Sequence, residues 1–130
     1  MPRLVRALTV VYGVGLLLQG GLTLLARVAP AFDRAAPGLL AVTRMIVPHS
    51  LLHIATGLVA LYAVRRSTQA AWRFLVGFGL FYTALGLAGA TSGHQFSLGL
   101  QPFDHPFHLV IGTTALAGAL LHWQRGWGAP

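Results

Sequence analysis

Six histidines stand in a chain with no cysteine and only two acids, Asp33 and Asp104. Their spacing is not even. His49 and His53 are four residues apart, and so are Asp104 and His108. On a helix, residues four apart share one face, so each pair would present two donors side by side. Three imidazoles and a carboxylate, brought together, could close a four-coordinate site for Zn²⁺, and imidazole also suits copper or iron. His49, His53, Asp104 and His108 are therefore the candidate metal ligands, with His94 and His105 as further ligands or as supports for them.

Other uses of the same residues stay open. Asp104 precedes Pro106, and Asp-x-Pro is a helix-start pattern in which the acid caps and the proline occupies the first turn. His53 and His108 could instead hydrogen-bond between helices to fix their packing, with no ligand at all. A third use is haem or another tetrapyrrole, with His53 and His108 as axial imidazoles. Gly57 and Gly112, each one turn further along, would then leave room for the flat ring. His53, His108, Gly57 and Gly112 are the candidate cofactor-binding set. No nucleophile–base pair, phosphate loop or paired carboxylates are present. General acid–base chemistry would have to rest on histidine, and a non-enzymatic role is expected.

The elements that must position these residues are membrane spans. The chain has 130 residues, 55% of them hydrophobic and 8% charged. A soluble domain carries about 25% charged residues, so this one could not cover a water-facing surface. A span needs about 20 apolar residues. Residues 4–26, 46–64, 74–91 and 106–123 meet or approach that length, the last two needing help from flanking residues or a thin bilayer. The fold expected is all-α: a single four-span domain over residues 1–130, built as a four-helix transmembrane bundle. Leu39–Met45 could add a short interfacial helix, and residues 65–73 read as a tight basic turn.

All nine basic residues are arginine, and the net charge is +7. They sit singly or in pairs between apolar runs, which fits anchoring at lipid headgroups and not a nucleic-acid stripe. Arg3, Arg6, Arg65, Arg66, Arg73 and Arg125 fall on one side and Arg27, Arg34 and Arg44 on the other. That bias predicts both termini in the cytoplasm. His49, His53, Asp104, His105, His108 and His94 then lie toward the outer face, and His122 toward the inner one.

A weak internal repeat accompanies this arrangement. Span two reads His49-x3-His53-x3-Gly57, and span four reads Asp104-x3-His108-x3-Gly112. Gly13-x-Gly15-Leu16 in span one matches Gly77-x-Gly79-Leu80 in span three. Two helical hairpins in parallel pseudo-repeat would set span two opposite span four. Elsewhere the glycines of spans one and three suit close helix packing, Gln19 and Tyr82 are polar groups at mid-span, and Trp72, Trp123 and Trp127 form an aromatic belt.

These motifs resemble a bacterial family of four-span membrane proteins catalogued as a domain of unknown function. Its members carry a His-x3-His-x3-Gly element in span two and an Asp-x3-His element opening span four, matched here by His49, His53 and Gly57 and by Asp104, His108 and Gly112. Where members often have Asn-Trp after the acid, this chain has His105-Pro106. The location expected is the bacterial plasma membrane, and the resemblance brings no activity with it. Three functional expectations follow: an accessory or structural subunit with an outward metal-binding cluster, a haem- or pigment-binding subunit of an electron-transfer complex, or a small transporter or channel gated by histidine protonation. The partners expected are the lipid bilayer and other membrane subunits or further copies of the chain, with no nucleic acid.

Overall fold

The computed structural model describes residues 2–35, 38 and 45–127. Among these described residues, five α-helices follow one another: α1 (Pro2–Val28), α2 (Pro30–Ala35), α3 (Val47–Arg66), α4 (Thr68–Ser92) and α5 (Asp104–Trp127). A 3-10 turn, Phe96–Leu98, lies between α4 and α5. Helices α1, α3 and α4 are each long and apolar enough to cross a membrane. Many of their large apolar side chains are exposed, Val11 (65%), Val28 (66%) and Leu58 (57%) among them. Such surfaces are stable only against lipid tails. The chain is an integral membrane protein.

Local chemistry accounts for the helix ends, and it moves several expected boundaries. The basic turn expected over residues 65–73 shrinks to one residue. Ser67 is extended, at φ −173° and ψ 165°, and its hydroxyl accepts from the Ala70 amide at 3.0 Å, so α4 restarts at Thr68. An N-cap serine satisfies an amide that the first helical turn leaves free. At the far end Gly93 is left-handed, φ 65°, and its N–H closes on the Gly89 carbonyl. Glycine takes that conformation without a steric cost. Between them α4 runs 25 residues and α5 runs 24, longer than the 18 expected of each, because polar and basic flanks continue both helices. In the α1–α3 connection the helix is Pro30–Ala35, started by its proline. The interfacial helix expected at Leu39–Met45 falls outside the described residues apart from Met45, which is not helical.

Two helix pairs have the most extensive contacts, α1 with α3 and α4 with α5. Glycines set both. A Cβ on Gly57 would meet the Gly13 carbonyl oxygen at 2.7 Å, and one on Gly112 would meet the Gly79 carbonyl oxygen at 3.0 Å. A Cβ on Gly20 would lie 2.6 Å from the Ser50 carbonyl oxygen, and one on Gly86 would lie 2.8 Å from that of His105. Backbones this close need small residues at the crossing. Between the pairs, Val5, Leu16, Ala71, Leu75, Phe78, Tyr82, Ala115 and Ala119 form the apolar core. At the other end of that core lies a layer of buried polar side chains.

Candidate metal centre

The first turns of α3 and α5 build this layer. Ile46 precedes α3 in an extended conformation, Pro48 stands in its first turn, and the Ser50 amide donates to the Ile46 carbonyl at 3.0 Å. His49 is therefore in the first turn and His53 one turn further in. At about 1.5 Å per residue, His53 lies roughly 9 Å along α3 from Val47. Gly20 lets α1 close against Ser50 and His53, which pins this turn. On α5, His108 stands one turn after Asp104.

The structure brings His49, His53 and His108 together from two helices. One ligand atom from each lies within 4.8 Å of the others. The His49 and His53 rings stand edge to face with centroids 4.6 Å apart, and His49 and His108 are 5.9 Å apart. Each of the three residues is 1% exposed. None of their six ring nitrogens makes a hydrogen bond to any described residue. An interhelical hydrogen-bond network, the ligand-free expectation for His53 and His108, is not what this geometry contains. Zn–N bonds of 2.0–2.1 Å at tetrahedral angles put ligand nitrogens roughly 3.4 Å apart, so modest side-chain rotation would close the trio on an ion.

Asp104 stands beside this trio and is not one of the three clustered ligands. Its carboxylate accepts from the Gln101 amide at 2.7 Å, while its own amide donates to the Gln101 carbonyl at 2.9 Å. The acid thus ties down the chain that leads into α5, and this bond is to a preceding amide and not to an amide of the first turn of α5, as a cap would make. It is 7% exposed, and its charge acts on both His49 and His108. His105, also 7% exposed, packs its ring on Gly89, where any Cβ would collide with it. His94 is exposed, with its ring 6.1 Å from that of Phe96, and His122 lies on the last turns of α5.

Gly57 and Gly112 are not open toward the cluster. Their faces meet Gly13 and Leu17 of α1, and Thr83 and Gly79 of α4. The room that a flat ring would need there is filled by helix. Between His53 and His108 the space is also taken. Tyr82 packs 5.0 Å from His108 and 6.3 Å from His53, and His49 flanks both from another side. The arrangement is three converging imidazoles and not two opposed ones with a slot between them.

Two neighbours were not singled out for this site from the sequence. Tyr82, 1% exposed, lies on the buried α4 face with Leu75, Phe78, Gly86 and Gly89, and that i+3/i+4 spacing was a usable signal. Ser50 is fully buried next to His49, with its hydroxyl unbonded. A serine between two histidines on a span carries no comparable signal.

Against known proteins, residues 6–124 match the family described as Domain of unknown function (DUF4383), and the chain belongs to that family. No curated protein and no solved structure matches the chain.

Proposed function

We propose that this family member is a small metal-binding protein of the membrane, in which His49, His53 and His108 hold one transition-metal ion. The observation that carries the reading is the set of unbonded nitrogens: three imidazoles, each 1% exposed, converge without hydrogen bonds. A buried polar group without a partner costs about 1–3 kcal/mol, and a single ion engages three of these groups at once. Three neutral nitrogens leave a divalent ion uncompensated in a low-dielectric layer. Asp104, one of only two acids in the chain, supplies negative charge beside two of the ligands. In this reading it acts as counter-charge, with the fourth coordination position left to water or a small ligand. Zn²⁺ with three histidines and one open position has this form, and copper or iron suits the same donors.

The same reading takes α5 as a fourth span and the bundle as two like hairpins. The buried positions support this. Val5, Thr9, Gly13, Leu16 and Gly20 on α1 recur 66 residues later as Ala71, Leu75, Gly79, Tyr82 and Gly86 on α4. His49, Ser50, His53, Gly57 and Ala60 on α3 recur 55 residues later as Asp104, His105, His108, Gly112 and Ala115, all buried on α5. The Gly13–Gly57 and Gly79–Gly112 contacts are then the same contact made twice. The ion would sit near the axis relating the hairpins, its asymmetry coming from His49 standing where the second half has Asp104.

A proton or ion pathway has less support, because the core beyond the cluster, from Phe78 and Leu75 to Val5 and Ala119, is apolar apart from Thr9, whose hydroxyl is bonded to the Val5 carbonyl. Cobalt substitution tests the metal reading. The purified chain in detergent, titrated with Co²⁺, should develop the visible bands of a tetrahedral nitrogen-ligated site at one ion per chain. Loss of those bands in His53→Ala would place the ion at the trio, and bands unchanged in His53→Ala would overturn the reading.

A further inference from the structure

The end of the bundle away from the histidine trio carries Arg3, Arg6, Arg65, Arg66 and Arg73, all exposed. Both acids of the chain, Asp33 and Asp104, lie toward the other end, so no carboxylate side chain answers these five cations. At the same end an apolar groove of about 440 Å³ runs between α4 and α5, lined by Trp72, Val76, Leu116, Leu120 and Trp123. Its rim is unlike ordinary lipid-facing surface. The Trp72 and Trp123 rings stack with centroids 5.7 Å apart, and the Trp72 indole N–H donates to the Ala119 carbonyl at 3.0 Å. Arg73 follows Trp72 directly, so its Cα lies at nearly the same depth, about 1.5 Å further along α4.

We infer that this groove is a binding site for one anionic glycerophospholipid, with an acyl chain along Val76, Leu116 and Leu120 and the headgroup phosphate at Arg73. The site needs both parts. The groove supplies apolar area to a chain of any headgroup. The Trp pair fixes the depth of the ester region, where indoles prefer to sit. The Arg73 guanidinium, which meets no carboxylate among the described residues, selects a phosphate bearing net negative charge, since arginine binds phosphate through a planar two-point fork. A zwitterionic lipid brings its own cation and gains less. This inference stands apart from the metal reading, because it uses the opposite end of the bundle and none of its ligands.

Native mass spectrometry of the full chain in neutral detergent, titrated with phosphatidylglycerol or with phosphatidylcholine of the same acyl chains, tests the site. The expected result is a single saturable lipid adduct with at least fivefold preference for phosphatidylglycerol. Arg73→Gln should reduce that preference to near unity, whereas Arg3→Gln, on α1, should leave it. Trp123→Ala should weaken both lipids alike, since it alters the groove and not the charge. Excess inorganic phosphate should not displace the adduct, which separates a lipid site from a free-phosphate site. Equal binding of the two lipids, equal effects of Arg3→Gln and Arg73→Gln, or displacement by phosphate would each overturn the inference. The arginines are exposed, so their variants keep the fold, and helix content by circular dichroism checks this.

Discussion

A neutral imidazole has one ring nitrogen that donates and one that accepts, and in hydrocarbon both need partners. No described group hydrogen-bonds the ring nitrogens of His49, His53 and His108, and this is why we propose the trio as a ligand set. Their grouping was legible in part. The four-residue spacing of His49 and His53 and the position of His108 pointed to one site, because helix geometry turns spacing into direction. Asp104 was legible as a neighbour but not as to its bond. Only the fold of residues 99–104 shows its carboxylate turned to the Gln101 amide. If Asp104 compensates the charge of the ion without being a principal ligand, Asp104→Asn should keep the one-to-one stoichiometry and weaken divalent-ion affinity by about 10-fold, within the range usual for supporting groups. Competition with a chromophoric chelator measures this, and unchanged affinity would remove Asp104 from the account.

Among the elements, helix pairing is governed by what the glycines face. Gly57 and Gly112 looked equally suited to a cofactor or a neighbour, because a missing side chain shows that space is needed and not what occupies it. Both turn out to face backbone. Gly57→Ala should therefore destabilise the chain by about 1–3 kcal/mol through overpacking. Gly15→Ala and Gly77→Ala meet nothing within 4 Å and should be neutral or stabilising by up to about 1 kcal/mol, since alanine is the better helix former. Thermal unfolding in detergent separates the two classes, and equal loss at Gly57 and Gly15 would contradict the packing described. A smaller effect belongs to the α3–α4 joint, where Ser67→Ala removes the cap on Ala70 and should cost about 0.5–2 kcal/mol. That one-residue joint was not legible, because Arg65, Arg66 and Arg73 read as a polar turn although arginine is at home in a helix whose end reaches the headgroups.

For the molecule as a whole, hydropathy made α1, α3 and α4 legible as spans and left their exact ends open, since lipid accepts any apolar stretch of sufficient length. The pairing of α1 with α3 and α4 with α5 depends on Gly-to-backbone contacts whose register shows only in three dimensions: Gly57 of α3 lies on the Gly13 carbonyl of α1, and Gly112 of α5 on the Gly79 carbonyl of α4. With most arginines at one end, we expect both termini in the cytoplasm. Cysteines placed at the exposed Ser67 and Ser97 should then differ in intact cells, an impermeant thiol reagent labelling position 97 and not 67. Labelling of 67 alone would reverse the orientation and put the histidine layer on the inner side, leaving its geometry intact. Whether that layer holds an ion is the central question, and elemental analysis of the purified chain answers it most directly. The account predicts close to one zinc, copper or iron per chain in the wild type and close to none in His53→Ala/His108→Ala, with both proteins helical. A wild type with no transition metal after growth and purification in metal-replete medium, or a double variant that retains it, would contradict the account.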